Sequence, residues 1–396
     1  MTDRDRRRAG DVHVVIIGGG GTGAAAAYDC AQRGFRVTLF EKGELTSGTT
    51  GRHHGQLHSG ARYAVRDPKI GRECMEEVNI LRRIASDTIE MNYGIFLALS
   101  EEDEAYGREF ESQCEAAGIP TRRLSTEEAL RHEPGINPEA LFAELVPDGT
   151  LDAYRLPLRF FASAKHHGAR ILPFTEVEAI ESTDGSVTEV VACDYRTGEI
   201  ERIAADIIIN AAGPWAGFVA ERAGVDLAIT PAPGTMVAVT GRLCNMVVSH
   251  LHPPGDGDIV VPQRNLAIIG STQWETDTPE AIESPESDIR WLLSRADDLI
   301  PGFSNREYHA AWTAARPLAG RSATGGRELS RDFEVVSHAP AGVAGFYSVI
   351  GGKATVLRAM GEEIADVVCR DLGLDIRCAT ADAPLLPHRA FFWTET

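Results

Sequence analysis

Three glycines carry the first chemical signal. Gly18, Gly20 and Gly23 form G-x-G-x-x-G directly after the apolar run 12–17, and a second apolar run, 36–41, ends in Glu41. Gly18 permits a tight turn, Gly20 lets a pyrophosphate approach the backbone, and Gly23 lets the next helix pack on the strand. The start of that helix offers amide donors and the positive end of a dipole to phosphate. A carboxylate at Glu41 can accept hydrogen bonds from ribose hydroxyls. The pattern reads as a dinucleotide site, and the glycines alone do not choose between nicotinamide and flavin cofactors.

His53, His54 and His58 form a second cluster, H-H-x-x-x-H. Three readings stand open: metal ligands, packing histidines, or a catalytic base at His54 or His58. No Asp or Glu lies among them, which weighs against a metal, and no metal is expected. Arg155 reads as an ion-pair partner of Asp152 or Asp148, and Asp148-Gly149 as a turn.

Residues like these need strands and short turns to position them. Runs 12–17 and 36–41, with helix formers at 24–32 and Gly34 between them, make one βαβ unit. Apolar spacing predicts helices over 69–86, 102–118 and 155–167. Runs 176–181 and 187–195 flank Asp184-Gly185, a hairpin signal; Thr197-Gly198 turns again, and 206–211 is a buried strand ending at Ala212-Gly213. Residues 226–335, rich in Pro, Gly and Thr, carry strand-like runs at 235–240 and 266–269, which predict an antiparallel sheet. A last strand at 345–350 meets Gly351-Gly352, and 355–370 reads as a closing helix.

The bulk properties bound the remaining choices. A 396-residue chain, 43% hydrophobic and 24% charged, has material for two domains and a real core. A net charge of −19 opposes nucleic-acid phosphates, so that class of partner is set aside. Seven cysteines without a C-x-x-C argue against a disulfide framework, a zinc ribbon or an iron–sulfur cluster, and make a reducing cytoplasm the simplest compartment. Arg6 to Arg8 before an apolar run imitate a signal peptide, but Gly18 to Gly21 break that run. No apolar stretch reaches the ~18 residues of a spanning helix. Peripheral contact at the inner face of a membrane stays open.

Longer segments carry a resemblance. ELTSGTTGRHHGQLHSGARY (44–63) and NAAGPWA (210–216) resemble the glycine/D-amino-acid-oxidase superfamily of flavoproteins. VPDGTLDAYRL (146–156), RPL (316–318), LSRDF (329–333) and GGKATVLR (351–358) follow the order found in FAD-dependent glycerol-3-phosphate dehydrogenases. The anaerobic-type catalytic subunit is the nearest likeness, over residues 12–387. The resemblance implies an α/β (α+β) chain. After a flexible tail at 1–11, a Rossmann-like, two-dinucleotide-fold FAD domain would take 12–90, 146–225 and 336–396. An interleaved antiparallel substrate or cap domain would take 91–145 and 226–335.

The resemblance also implies roles. FAD would be held by Gly18, Gly20, Thr22, Gly23, Glu41, Lys42, Thr49, Thr50, Gly51, His58, Ser59, Val177, Ala212, Gly213, Trp215, Gly351, Gly352, Lys353, Ala354 and Thr355. Arg316 and Arg331 fall in the phosphate pocket, where a planar guanidinium fork suits an anion. His54, His58, Tyr63 and Lys353 complete the catalytic candidates. The implied reaction is oxidation of sn-glycerol 3-phosphate to dihydroxyacetone phosphate by hydride transfer to the flavin. No internal redox relay is visible, so electrons would leave to a quinone, a partner protein or oxygen. Where the family has Gly-Val and Thr-Tyr, this chain has Ala314-Ala315 and Val356-Leu357. These changes keep open another small anionic hydroxy or amino substrate. An FAD-binding electron-transfer subunit without its own substrate is a second alternative, opposed by the presence of Arg316, Arg331 and Lys353.

Overall fold

The computed structural model describes residues 8–280, 282–320 and 332–393. A six-stranded sheet forms its base, in the order Phe333–Ser337, Phe346–Gly351, Ile207–Asn210, His13–Ile17, Arg36–Phe40, Arg170–Leu172. All neighbours are parallel except the edge strand Phe333–Ser337. The β-branched residues of His13–Ile17 are buried on both faces, as a central parallel strand requires.

Helix Gly21–Gln32 lies on one face, between helices Arg155–His166 and Leu357–Asp371. Its alanines, Ala24 to Ala27, are buried and let the neighbours approach closely. At Gly361 a Cβ would stand 2.6 Å from the Ala25 backbone, so only glycine fits there. A meander of Thr175–Thr183, Ser186–Asp194 and Ile200–Ala204 covers the other face, packing Val177, Val187 and Val190 on Val15, Ile208 and Phe346. Asp184 and Gly185 turn its first hairpin with φ of 52° and 77°, the left-handed pair of a type I′ turn.

The second large sheet has eight strands, in the order Tyr308–Ala319, Ile229–Thr240, Leu266–Gly270, Ile259–Gln263, Val247–His250, Gly94–Ala98, Phe142–Val146, Arg122–Ser125. It departs from the antiparallel expectation at one seam, where Val247–His250 runs parallel to Gly94–Ala98. Helix Glu286–Leu299 adds an element that the strand-like runs of 226–335 do not predict. Its Leu292, Ala296 and Leu299 fill the core beneath Val237, Val260 and Ile269. The N-terminal expectation also changes: Ala9–Asp11 form a short 3-10 turn with Ala9 against the core, while residues 1–7 lie outside the described ones. Among the described residues, no helix is long and apolar enough to cross a membrane.

Candidate active site

The parallel strands end at a cavity of about 610 Å³, with Ile17, Phe40, Ala211 and Gly351 at its rim. Open parallel sheets bind ligands at such strand ends. The glycine turn forms the floor. Gly18 has a φ of 114°, and a Cβ on it would lie 2.5 Å from the Ala211 carbonyl oxygen. A Cβ on Gly23 would lie 1.9 Å from the Gly18 carbonyl oxygen. At Gly20 a Cβ would meet only Thr50, its Oγ1 at 3.1 Å, and this glycine faces the cavity. The three therefore do different work: two permit the backbone's own packing, and Gly20 keeps space for a bound group. Glu41 is fixed at the edge, accepting from the Gly19 amide at 2.6 Å and the Gly43 amide at 2.7 Å. Lys42 stands 4.5 Å over the Trp215 ring and pairs with Glu280 at 2.6 Å; Trp215 Nε1 also donates to Glu280. A bare-backbone cradle with a carboxylate beside it fits a dinucleotide.

Side chains line the rest of the cavity. The His54 and His58 rings are 6.3 Å apart, and His58 is 5.4 Å from Tyr63. Lys353 Nζ sits 5.0 Å over the Tyr63 ring and 3.6 Å from Asp332. Lys353 depends on two glycines at positive φ. A Cβ on Gly351 would meet the Asp332 carbonyl at 2.3 Å, and one on Gly352 would meet Met360 Sδ at 2.4 Å. Arg316 projects from Tyr308–Ala319 and donates to Ser271 Oγ, with the Ala232 and Thr272 carbonyls 3.5 Å from Nη1. Gly234 makes room for it, since a Cβ there would be 2.7 Å from Nη1.

The paired histidines have defined tautomers. His53 Nδ1 accepts from the Gly55 amide at 2.8 Å, and His54 Nδ1 accepts from the Gln56 amide at 3.2 Å. An amide only donates, so each ring carries its proton on Nε2. Burial lowers the His53 pKa to about 4. Burial, then the charges of His53, Arg316 and Arg62, lower that of His54 to about 3. Both rings are neutral at physiological pH.

Of the candidates read from sequence, Gly23, Gly51, Ser59 and Thr355 do not line the cavity, and Arg331 lies outside the described residues. All the others line it. Gly51 packs on its own loop, where a Cβ would be 2.5 Å from the Thr46 carbonyl. Ser59 is buried, with its amide and hydroxyl both on Asp148. Thr355 Oγ1 accepts from the His58 amide at 3.0 Å and so holds the histidine segment. Asp148 is a buried acid and not a turn residue. Burial raises its pKa, and donors from Ser59 and Gln56 oppose that rise. Arg155 approaches Asp152 at 3.6 Å, the bland pairing read from sequence. Among the described residues no group of three or more His, Cys, Asp or Glu could hold a metal.

Two wall residues escape a reading of the sequence. Arg62 is 6% exposed, with Nη2 2.9 and 2.7 Å from the Asp258 carboxylate oxygens and 3.1 Å from the Gly255 carbonyl. Its Nη1 is buried without a hydrogen-bond partner among the described residues. Ser271, the anchor of Arg316, is the other. Arg62 sits beside Tyr63 in the H-S-G-A-R-Y run, but a partner 196 positions away leaves no local trace.

A backbone cradle at parallel strand ends, with His, Tyr, Lys and Arg side chains around the same cavity, defines a dinucleotide-dependent oxidoreductase. Residues 13–367 match the DAO family model, described as FAD dependent oxidoreductase, and the chain belongs to that family. It is an FAD-dependent oxidoreductase, and its cofactor is FAD. It is 39% identical to a subunit of the anaerobic glycerol-3-phosphate dehydrogenase of Escherichia coli over 378 residues, covering 94% of this chain and 69% of that one. It is also 39% identical to the corresponding subunit of Haloferax volcanii over 385 residues, covering 94% and 66%. The chain thus spans about two thirds of the length of these relatives. Its fold is similar to that of the glycerol-3-phosphate dehydrogenase from Bacillus halodurans solved with FAD (TM-score 0.74, 23% identity, 94% of this chain and 67% of that one). Glycine oxidase from Geobacillus kaustophilus is similarly close (TM-score 0.75, 25% identity, 94% and 98%).

Proposed function

We propose that the protein oxidises sn-glycerol 3-phosphate to dihydroxyacetone phosphate. The observation that carries this reading is Arg316. It is a guanidinium held by Ser271 in the same cavity as His58, Tyr63 and Lys353, in a chain 39% identical to enzymes named for that substrate. Bound FAD supplies the hydride acceptor. Gly18, Gly20 and the first turn of Gly21–Gln32 would hold its pyrophosphate, Glu41 a ribose, and the Gly351–Lys353 turn the ring end. Arg316 grips the phosphate, joined by Arg331 on the strength of the resemblance. Lys353 holds the hydroxyl undergoing oxidation. His58 takes the hydroxyl proton, because the basic ring nitrogens of His53 and His54 are already engaged by the Gly55 and Gln56 amides. The electrons then pass to a quinone or a partner protein. Both relatives are named as one subunit of an enzyme, which supports a partner. This chemistry suits a cytoplasmic protein, with peripheral contact at the inner face of the membrane.

Another small anionic hydroxy or amino compound is the second reading. Ala314 and Leu357, at two of the altered positions, both line the cavity. A screen with an artificial electron acceptor tests both readings. Turnover of sn-glycerol 3-phosphate well above glycerol, 2-hydroxy acids and amino acids supports the first. Preference for a carboxylate substrate would transfer the assignment to the second.

A further inference from the structure

We propose that His54 is a neutral hydrogen-bond donor to the anionic end of the substrate, acting beside Arg316. This inference rests on the proposed reading that the substrate carries an anionic group, and it assigns a residue to that group's recognition.

The geometry begins with a local device. In the run His53-His54-Gly55-Gln56, each imidazole accepts the amide two residues on, through Nδ1. The loop backbone itself therefore sets both tautomers and places the proton of His54 on Nε2. A ring in that state offers a donor and no lone pair on its outer edge.

The surroundings of that side of the ring are also defined. His54 lines the cavity, and a Cβ built on Gly270 would lie 3.6 Å from His54 Cδ2, the ring atom bonded to Nε2. The residue after Gly270 is Ser271, whose hydroxyl holds the Arg316 guanidinium. His54 and Arg316 thus approach the same Gly270-Ser271 step from two separate elements.

Electrostatics favours a neutral partner. Burial raises the cost of a positive charge on His54, and His53, Arg316 and Arg62 add to it. A second cation beside Arg316 would have to be desolvated next to like charge. An N–H on a neutral ring adds a directed donor without that cost, and it stays a donor across neutral pH. The division of labour is then clear: His58 moves the proton and His54 binds the anion. His54 is a substrate-binding residue.

Two measurements on the FAD-loaded enzyme test this. The first is nitrogen NMR of histidine-labelled protein, with His54→Gln assigning the resonance. The expected spectrum has His54 unprotonated at Nδ1 and protonated at Nε2 throughout the neutral range. Added inorganic phosphate should move the Nε2 proton without changing the tautomer. A ring that titrates near neutrality, that carries its proton on Nδ1, or that ignores phosphate overturns the proposal. The second is steady-state kinetics with sn-glycerol 3-phosphate. His54→Leu should raise KM by about 10–100-fold, the usual range for losing a hydrogen bond to an ionised group. It should leave kcat within about threefold and the pH profile unshifted. His54→Gln should recover part of the loss through its amide N–H. A fall in kcat of about 10²–10⁴ with loss of a pH limb would make His54 the base and sink the proposal. If the parent enzyme ignored glycerol 3-phosphate, the proposed substrate would fail, while the tautomer and phosphate response would still decide the role of His54.

Discussion

On the parallel-sheet side of the cavity the wall is backbone. Gly18, Gly20, Gly351 and Gly352 face it, and two of them, Gly18 and Gly351, leave no room for a Cβ against a neighbouring carbonyl. On the eight-stranded side the wall is side chain. Arg316 reaches Ser271, 45 positions away, and Arg62 reaches Asp258, 196 positions away. The first kind of wall is written within a few residues and recognises what all such cofactors share, a pyrophosphate. The second is assembled across the chain and can change its ligand while the first stays intact. Ala314 belongs to the second kind, whereas Leu357 opens helix Leu357–Asp371 and lies against Gly21 of the cradle, so of these two departures from the family pattern only Ala314 sits on the wall that selects the substrate.

Substitutions should separate the two walls. Gly23→Ala has the largest expected effect, because its Cβ would stand 1.9 Å from a backbone oxygen. A loss of at least about 3 kcal/mol of stability is expected, with little soluble holoenzyme, read by thermal unfolding and bound flavin. Near-parent stability would mean the turn is looser than described. Gly20→Val should act differently: the fold survives and flavin occupancy disappears, since the branched side chain fills the space kept for the pyrophosphate. Recovery of one FAD per chain after reconstitution would refute the cradle assignment. Arg316→Ala should leave the flavin spectrum unchanged and lower kcat/KM by about 10² or more, with only partial recovery in Arg316→Lys.

The smallest effect lies outside both walls. Glu144 is fully buried, with Glu111 facing it. Burial, then Glu111, push its pKa up to about 9. The folded state thus holds a proton that the unfolded chain releases above its ordinary value of 4.5. Stability from this group is present at low pH and declines as pH rises from about 4.5 to about 9. Glu144→Gln should flatten that decline and add about 1 kcal/mol or more near the upper end of the window. Melting temperatures of parent and variant that track each other across the window would contradict it.

Legibility in the sequence follows the same division. The βαβ unit, the Asp184-Gly185 hairpin and the glycine cradle are readable because period, turn chemistry and close approach act within a few residues. The pairing of Arg62 with Asp258 and the parallel seam between Val247–His250 and Gly94–Ala98 are not, because tertiary contact alone creates them. Helix Glu286–Leu299 leaves a signal, Ile289, Leu292, Leu293 and Ala296 at helical spacing, but it is submerged in a Pro- and Gly-rich region. Asp148 misleads because Asp-Gly suggests a turn, whereas burial and the donors of Ser59 and Gln56 make it a clamp on the histidine segment.

A backbone wall for the cofactor and a separately built anion-selecting wall meet at one cavity. Anaerobic mixing of the FAD-loaded enzyme with substrate, followed at the flavin absorbance, tests this division most directly. The expected result is rapid bleaching by sn-glycerol 3-phosphate, little by glycerol, and a rate with glycerol 3-phosphate about 10² or more lower in Arg316→Ala at matched concentration. Equal bleaching by glycerol and glycerol 3-phosphate, or an undiminished rate in Arg316→Ala, would contradict it.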